Sequence, residues 1–246
     1  MTPFSADSPA VAHGIGLFET ILVVGGQAFD LPEHFRRMAS SAAALGFPVP
    51  GERAFRSAVA RAIRGASDEC ALRCVYAEDT TRWRLVASTF PIPATTIRRR
   101  KGARVITLDR SLVRSLPEHK LTSYAVSMVG LRQAVDAGAD EGLFVDRRGR
   151  VLEGTTTNVF AVDGDTLITA RDGILPGTVR ARVIEHASRV VYRPPTVDEL
   201  RNGSFLTSSL TGLAPITTVD GLRCAPPGPV FARLREAFGT PASRAG

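Results

Sequence analysis

Two residues that could do chemistry lie in the stretch HKLTSYAVSMVGLRQAVDAGADEGLFVDRRGRVLEGTTTNVF, residues 119–160. Lys120 precedes an apolar run with helical spacing, and Glu153 precedes Gly154 and three threonines. A lysine amine can act as a nucleophile or a base, and a carboxylate can hold a positive charge in place. Because an isolated carboxylate in a polar run is more often a surface residue, the role of Glu153 depends on the rest of the chain.

Two loops further along have compositions that suit an anion. In GILPGTVR, residues 173–180, the glycines let the backbone approach a ligand, and the first turn of the following helix leaves N–H groups unpaired. TSSLTG, residues 207–212, offers hydroxyls and amides in one loop. Each loop alone is more often structural, and Arg37 alone is more often a surface arginine, so none of them identifies a site by itself.

Length and composition limit the classes of protein to consider. The 246 residues are 44% hydrophobic with a mean hydropathy of +0.04, enough for one large domain or two smaller ones. There is no apolar run of roughly 18 residues, and the N-terminus lacks the basic and apolar parts of a signal peptide. We therefore predict a cytoplasmic protein without a membrane partner. Cys70, Cys74 and Cys224 have no paired zinc spacing, which predicts reduced thiols and no metal site.

The positive charge predicts small anionic ligands and not nucleic acid. The formal net charge is +7 and the pI is about 10.1, mostly from arginine. The densest basic run, TIRRRKGAR at residues 96–104, is short and has no interleaved aromatic residues. We interpret that run as a solvated connector, and we expect a small-molecule substrate.

The first half of the chain predicts a hairpin, two helices and a strand pair. LFETILVVGGQAFDL has two apolar strands around Gly25-Gly26, a dipeptide that accepts the positive φ of a tight turn. The next segment begins a helix at Pro32 and ends it at Gly46, and PGERAFRSAVARAIRGA predicts a second helix. ALRCVYAEDTTRWRLVASTFP alternates as a strand pair does.

The second half repeats this alternation of helices and strands. SYAVSMVGLRQAVDAGAD predicts a helix ending near Gly138, and two hairpins follow, turning at Arg148-Gly149 and Asp163-Gly164. GILPGTVRARVIEHASR predicts a loop and a helix, and GSFLTSSLTGLAPITTVDG a strand, a polar loop and a strand. The pattern predicts a mixed α/β fold with a smaller N-terminal domain at residues 1–110 and a larger C-terminal domain at residues 116–246.

The order of these motifs resembles one family. His34 and Arg37 in HxxR spacing, then Lys120, LEGTTTNVF, GILPGTVR and TSSLTGLAPI resemble the motifs of the class IV aminotransferases, fold-type IV enzymes that use pyridoxal 5′-phosphate. The resemblance runs from about Gly14 to Gly221, most of the chain. It implies two α/β domains with the cofactor in the cleft between them, and a homodimer.

The resemblance also assigns roles around the cofactor's ring. Pyridoxal phosphate needs an amine that binds its aldehyde covalently and, once released, moves the proton at the substrate's Cα. Lys120 matches that catalytic residue. A carboxylate must keep the pyridine nitrogen protonated, and Glu153 matches it. Tyr124, expected one helical turn beyond Lys120, could touch the cofactor's phenolic oxygen, although a purely structural tyrosine is an equal alternative.

The phosphate is assigned to four residues in the same way. The resemblance implies Arg37 as the cationic partner of the phosphate, the amides of Thr178 and Val179 as donors from a helix terminus, and Ser209 as a hydroxyl donor. Many relatives read Gly-Ile-Thr-Arg where residues 177–180 read GTVR, so the hydroxyl has moved by one position. Backbone contacts are therefore expected from this loop, whereas a hydroxyl contact from it stays open.

A second departure from the family lies near the N-terminus. The common Gly-Asp-Gly of the family is Gly14-Ile15-Gly16 here, which removes a carboxylate. No residue of this sequence replaces it in an evident way.

The reaction is predicted from one loop. SSLTGLAP is similar to the Asn-Ser-Leu-x-Gly pattern of 4-amino-4-deoxychorismate lyases, whereas branched-chain aminotransferases tend to have a Gly-Thr-Ala-Ala loop. We therefore predict a lyase of folate biosynthesis that forms 4-aminobenzoate and pyruvate. A class IV transaminase of branched-chain amino acids, D-amino acids or other amines is the alternative, because it shares all cofactor residues. A non-catalytic, anion-binding family member is a remote alternative.

Overall fold

The computed structural model describes residues 4–238 of the chain. The outer ends of the two predicted domains, residues 1–3 and 239–246, lie outside the described residues. Within the part that is described, no helix has the length and the apolar character needed to cross a membrane.

The described chain folds into two units, and neither is continuous in sequence. Unit 1 comprises residues 4–92 and 119–124, and unit 2 comprises residues 93–118 and 125–238. The sequence had predicted a division at residues 110–116, with Lys120 on its C-terminal side. By its packing, Lys120 instead lies with unit 1.

Unit 1 is built around an antiparallel sheet of four strands. Its elements are α1 (Pro9–Ala12), β1 (Gly16–Val24), β2 (Gln27–Ala28), α2 (Leu31–Ala44), α3 (Glu52–Ala62), β3 (Glu69–Glu78) and β4 (Trp83–Phe90). The strand order is β2-β1-β3-β4, and β1 pairs with β3 along its whole length. The predicted hairpin, the two helices and the strand pair are therefore confirmed.

The local chemistry of unit 1 explains these boundaries. Gly25 and Gly26 have φ angles of 55° and 72°, which glycine adopts without steric cost in the turn between β1 and β2. Gly46, at φ 70°, follows α2 in the left-handed conformation that commonly ends a helix. The core behind the sheet is apolar, and Phe55 of α3 is completely buried in it. Burial of such a side chain contributes about 1.5–3 kcal/mol.

Residues 120–122 complete the sheet of unit 1 from a distant part of the chain. The backbone N–H of Phe18 donates to the carbonyl of Lys120 at 2.9 Å, and Leu17 forms an antiparallel bridge with Leu121. The N–H of Thr122 donates to the carbonyl of Gly16, also at 2.9 Å. The backbone of Lys120 is thereby fixed against the beginning of β1.

Unit 2 is built around a mixed sheet of nine strands. Its elements are α4 (Ala94–Arg99), β5 (Ala103–Thr107), α5 (Ala125–Asp136), β6 (Glu141–Val145), β7 (Val151–Gly154), β8 (Asn158–Asp163), β9 (Thr166–Thr169), α6 (Thr178–His186), β10 (Arg189–Tyr192), α7 (Val197–Arg201), β11 (Ser204–Ser208), β12 (Gly212–Val219), β13 (Leu222–Arg223) and α8 (Gly228–Phe238). The strand order is β10-β9-β8-β11-β12-β5-β6-β7, and β13 pairs with β12.

The predicted hairpins β6–β7 and β8–β9, the helix α6 and the strands β11 and β12 are all confirmed. The sequence missed β5, which lies parallel to both β12 and β6 in the middle of the sheet. It was missed because β5 directly follows the basic run. That run is itself not the solvated connector that was predicted, since its first part forms α4 and Arg99 is buried.

Candidate active site

Lys120 lies against aromatic rings in unit 1. Its Nζ is 4.6 Å from the ring centroid of Phe18 and 5.4 Å from that of Tyr124, and these two rings meet edge-on at 5.2 Å. An ammonium group above an aromatic face is stabilised by the ring quadrupole. Tyr124 is therefore near Lys120, as predicted. The two residues are not one turn apart on a helix, however, because α5 begins only at Ala125.

Arg73 is a residue of this site that the sequence interpretation missed. It lies on β3, and its guanidinium is 4.7 Å from the centroid of the same Phe18 ring that contacts Lys120. Burial lowers the pKa of Arg73, although the nearby Tyr124 opposes this shift. Its Nε is buried and has no hydrogen-bond partner among the described residues. An arginine inside the otherwise apolar segment CALRCVYA was the signal that could have identified it.

Arg37 belongs to a buried network that orients it. From α2 it donates to the carboxylate of Glu19 through Nε at 2.8 Å and through a terminal nitrogen at 2.5 Å. The ring Nδ1 of His34 lies 2.6 Å from the same carboxylate, and Glu19 is completely buried on β1. Burial opposes ionisation of Glu19, but Arg37 and His34 outweigh it and lower the pKa of this carboxyl to about 2. The predicted phosphate partner is thus held rigidly by a residue that the sequence did not suggest.

In the Glu19→Gln variant, the free energy of unfolding is expected to depend less on pH than in the unmodified protein. Since the folded pKa of about 2 lies below the usual 4.5, the ionised carboxylate stabilises the fold fully above about pH 4.5. This stabilisation, on the order of 3 kcal/mol, is lost as the pH falls towards about 2. Urea unfolding between pH 7 and pH 2.5 measures it, with the exposed Glu52→Gln as the matched control. Equal pH slopes for the two variants would contradict the assignment.

Glu153 is buried in unit 2 among three donors. It lies at the end of β7, where its Oε1 forms an ion pair with Arg114. Its Oε2 accepts from Nδ2 of Asn158 at 3.2 Å and from the backbone N–H of Leu175 at 3.0 Å. These donors stabilise the negative form of a carboxylate that has lost its contact with water. The surface alternative for Glu153 is therefore wrong, since only 2% of the residue is exposed.

The N-terminus of α6 lies beside the loop that contains Ser209. The hydroxyls of Thr178 and Ser209 are 3.5 Å apart, and Val179 follows in the first turn of the helix. The cap residue Gly177 provides no side-chain cap, and a Cβ at this position would collide with Oδ1 of Asn158. The structure therefore brings together three of the predicted phosphate residues, at a helix end suited to an anion.

Ile15 occupies the position where the family commonly has an aspartate. Its backbone N–H donates to the carbonyl of Pro9 at 3.2 Å, and the neighbouring Gly14 has a φ of 67°. The carbonyl of Gly14 accepts from the Thr122 hydroxyl at 2.6 Å. Nothing in the structure explains the replacement of the aspartate.

The residues of unit 2 fit a group with both a phosphate and a basic ring nitrogen. The uncapped first turn of α6 and the small residue Gly177 suit the phosphate. The buried carboxylate of Glu153, which is paired with Arg114, suits a protonated pyridine nitrogen. Asn158 connects Glu153 with the loop that leads into α6. Its Nδ2 donates both to Glu153 and to the carbonyl of Leu175 in that loop. Among the described residues, no cluster of histidine, cysteine and carboxylate side chains could hold a metal ion.

Comparison with known proteins identifies the family. Residues 16–219 match the model of the amino-transferase class IV family. The chain therefore belongs to this family, whose members are pyridoxal-phosphate-dependent enzymes, and the predicted enzyme class and cofactor are confirmed.

Several relatives resemble the chain over most of its length. A bifunctional aminodeoxychorismate lyase / D-amino acid transaminase of Mycobacterium tuberculosis is 36% identical, with 94% of this chain and 92% of the relative covered. Solved structures of a hypothetical aminotransferase from Mycobacterium tuberculosis, in a PLP-bound form and in a form with alpha-ketoglutarate and PMP bound, are 33% and 34% identical. Their TM-scores are 0.85 and 0.84, and each comparison covers 97% of this chain and 93% of the other.

A fold IV transaminase from Curtobacterium pusillum is 29% identical, with a TM-score of 0.82 over 96% of this chain and 90% of the other. The predicted fold type IV is thus confirmed. The position of the cofactor between two domains stays a prediction.

Proposed function

We propose that this enzyme is an aminodeoxychorismate lyase that converts 4-amino-4-deoxychorismate into 4-aminobenzoate and pyruvate. The observation that supports this most is the 36% identity, over nearly the whole of both chains, to a relative named for that activity. The loop sequence SSLTG at residues 208–212 supports it independently. When bound, pyridoxal phosphate would supply an electron-withdrawing ring that stabilises negative charge beside the substrate's nitrogen.

The residues of unit 2 hold this ring in place in the proposal. The backbone N–H groups of Thr178 and Val179 and the hydroxyl of Ser209 bind the phosphate, because they lie at or beside the start of α6. Glu153 keeps a proton on the ring nitrogen, and Arg114 and Asn158 keep Glu153 oriented. The resemblance to the family assigns Arg37, which Glu19 orients, to the phosphate as well.

Lys120 moves the proton in the proposed reaction. Its Nζ is the amine that would hold the cofactor's aldehyde and that, once free, would act as the base. The free amine then removes the proton from the ring carbon next to the substrate's nitrogen. The bond between the neighbouring ring carbon and the enolpyruvyl oxygen breaks, and the oxygen leaves with the electron pair. The enolate that departs takes a proton at its CH₂ carbon and becomes pyruvate. The remaining ring is aromatic, which makes this elimination favourable.

Arg73 is proposed to bind a carboxylate of the substrate. Aminodeoxychorismate has two carboxylates, one on the ring and one on the enolpyruvyl group. The guanidinium of Arg73 contacts the same aromatic ring as Lys120, and its Nε lacks a partner among the described residues. A half-buried guanidinium is best satisfied by a planar anion that accepts two hydrogen bonds.

The test is turnover of aminodeoxychorismate without any keto acid. The expected result is equal amounts of 4-aminobenzoate and pyruvate over many cycles, with the cofactor remaining in its aldehyde form. No 4-aminobenzoate, together with rapid conversion of the cofactor to its amine form by D- or L-amino acids, would refute the lyase. The rate of that conversion has to be compared with ordinary turnover, about 1–10³ per second, because slow side reactions are common in such enzymes.

Transamination of D-amino acids is the second candidate function. It is supported by the name of the bifunctional relative and by the structure of a relative that contains alpha-ketoglutarate and PMP. Lys120 would return the proton to the cofactor in this case, and a keto acid would be required to complete the cycle. A homodimer and a location in the cytoplasm stay predictions.

A further inference from the structure

The basic run at the end of α4 is part of the folded interior of unit 2. Arg98 is exposed, Arg99 is only 4% exposed and Arg100 is half-buried. Arg99 and Arg100 each contact a different loop of the candidate active site. Consecutive side chains at one helix end thus reach two places that are far apart in sequence.

Arg99 fixes this helix end against the loop that follows Glu153. Its terminal nitrogen donates to the buried carboxylate of Glu141 at 2.6 Å and to the hydroxyl of Thr156 at 2.9 Å. Glu141 also accepts from the hydroxyl of Thr155 and from the hydroxyl of Thr156 at 2.6 Å. A buried charge that loses its partner is strongly destabilising. Movement of α4 would separate Arg99 from Glu141, so this ion pair opposes such movement.

Arg100 reaches the loop between β11 and β12. Its Nε and a terminal nitrogen both donate to the backbone carbonyl of Leu210, at 3.0 and 2.8 Å. Leu210 directly follows Ser209, whose hydroxyl lies 3.5 Å from that of Thr178. The same loop is closed by the N–H of Thr211, which donates to the hydroxyl of Ser208 at 3.2 Å. A charged fork from α4 therefore contacts this loop at the residue that follows Ser209.

We propose that Arg100 is a positioning residue for the phosphate end of the cofactor. It acts through the Leu210 carbonyl, which places Ser209 beside the first turn of α6, while Arg99 anchors the helix from which Arg100 extends. This inference rests on the proposed assignment of Ser209 and Thr178 to the phosphate. The proposal gives the arginine run a role in retaining the cofactor, which its amino-acid composition alone does not suggest.

The first test compares affinities for pyridoxal 5′-phosphate and for pyridoxal, which lacks the phosphate. In Arg100→Ala, we expect the affinity for pyridoxal 5′-phosphate to fall about tenfold to a hundredfold, since two hydrogen bonds from a charged donor are lost. The affinity for pyridoxal should stay unchanged. Arg100→Lys should recover part of the loss, and Arg98→Ala, an exposed neighbour at the same helix end, should match the unmodified protein.

The second test is independent of the cofactor. Hydrogen exchange of the backbone amides at residues 209–213 in the cofactor-free protein should be faster in Arg100→Ala than in Arg98→Ala. Unchanged exchange, unchanged affinity for pyridoxal 5′-phosphate, or an equal loss of affinity for both compounds would each overturn the inference. If the unmodified protein fails to bind pyridoxal 5′-phosphate at all, the proposed function fails instead, and the exchange measurement still decides whether Arg100 positions the loop.

Discussion

Replacement of Lys120 by alanine is expected to lower turnover by more than about 10⁴-fold, because one amine supplies both the covalent attachment and the proton transfer. Lys101 is the only other lysine in the 246 residues, and it is exposed. Lys101→Arg is therefore the matched control. Reduction of the holoenzyme with borohydride, followed by peptide mass analysis, should place the pyridoxyl group on the peptide that contains Lys120.

The opposite labelling result would contradict the assignment. A pyridoxyl group on Lys101, or activity that survives in Lys120→Ala, would mean that Lys120 is only a structural neighbour of Phe18. The folding of the variant is checked separately by its melting temperature. The backbone of Lys120, and not its side chain, pairs with β1, so an alanine keeps that pairing.

Glu153→Gln is expected to slow proton abstraction by about 10² to 10⁴-fold while the cofactor still binds. An amide has nearly the shape of the carboxylate, but it has no charge with which to stabilise a protonated ring nitrogen. The hydrogen bonds from Asn158 and Leu175 can be kept by the amide oxygen, whereas the NH₂ group would then face Arg114. The measurement is single-turnover kinetics of the substrate with cofactor-saturated enzyme.

Glu118→Gln provides the control for that experiment. Glu118 is an exposed carboxylate of the same unit, which accepts from the N–H of Gly173, so its replacement should leave the rate unchanged. Glu153→Gln removes the anionic partner of Arg114, which is expected to lower the stability of the fold. The melting temperature therefore shows whether a slower rate comes from the lost charge at the site or from unfolding. A rate equal to that of Glu118→Gln would assign Glu153 a purely structural role.

Local sequence signals predicted most elements of the fold. Turn glycines such as Gly25 and Gly149 and the helix signals at Pro32 and Gly46 act over a few residues, so their outcome depends little on the rest of the chain. The order of the motifs along the chain then predicted the family. The burial of Glu153 agrees with the chemistry inferred for this residue.

The missed features depend on partners that are far away in sequence. Arg99 contacts a carboxylate 42 residues later, and Arg100 a carbonyl 110 residues later. A run of arginines has the same composition whether it is solvated or paired, so only the tertiary structure distinguishes the two. The same limit applies to Arg114, whose partner Glu153 lies 39 residues further on.

The pairing of residues 120–122 with the start of β1 also determines the order in which the chain can fold during synthesis. One side of β1 pairs with β3, but the backbone groups of Gly16 and Phe18 on the other side have no partner until the segment 119–124 has left the ribosome. Closure over such a long separation is slow, and an open strand edge can pair with other chains. A fragment that stops at residue 92 therefore keeps this edge exposed and is prone to self-association, because the strand partner that covers it is the segment containing Lys120.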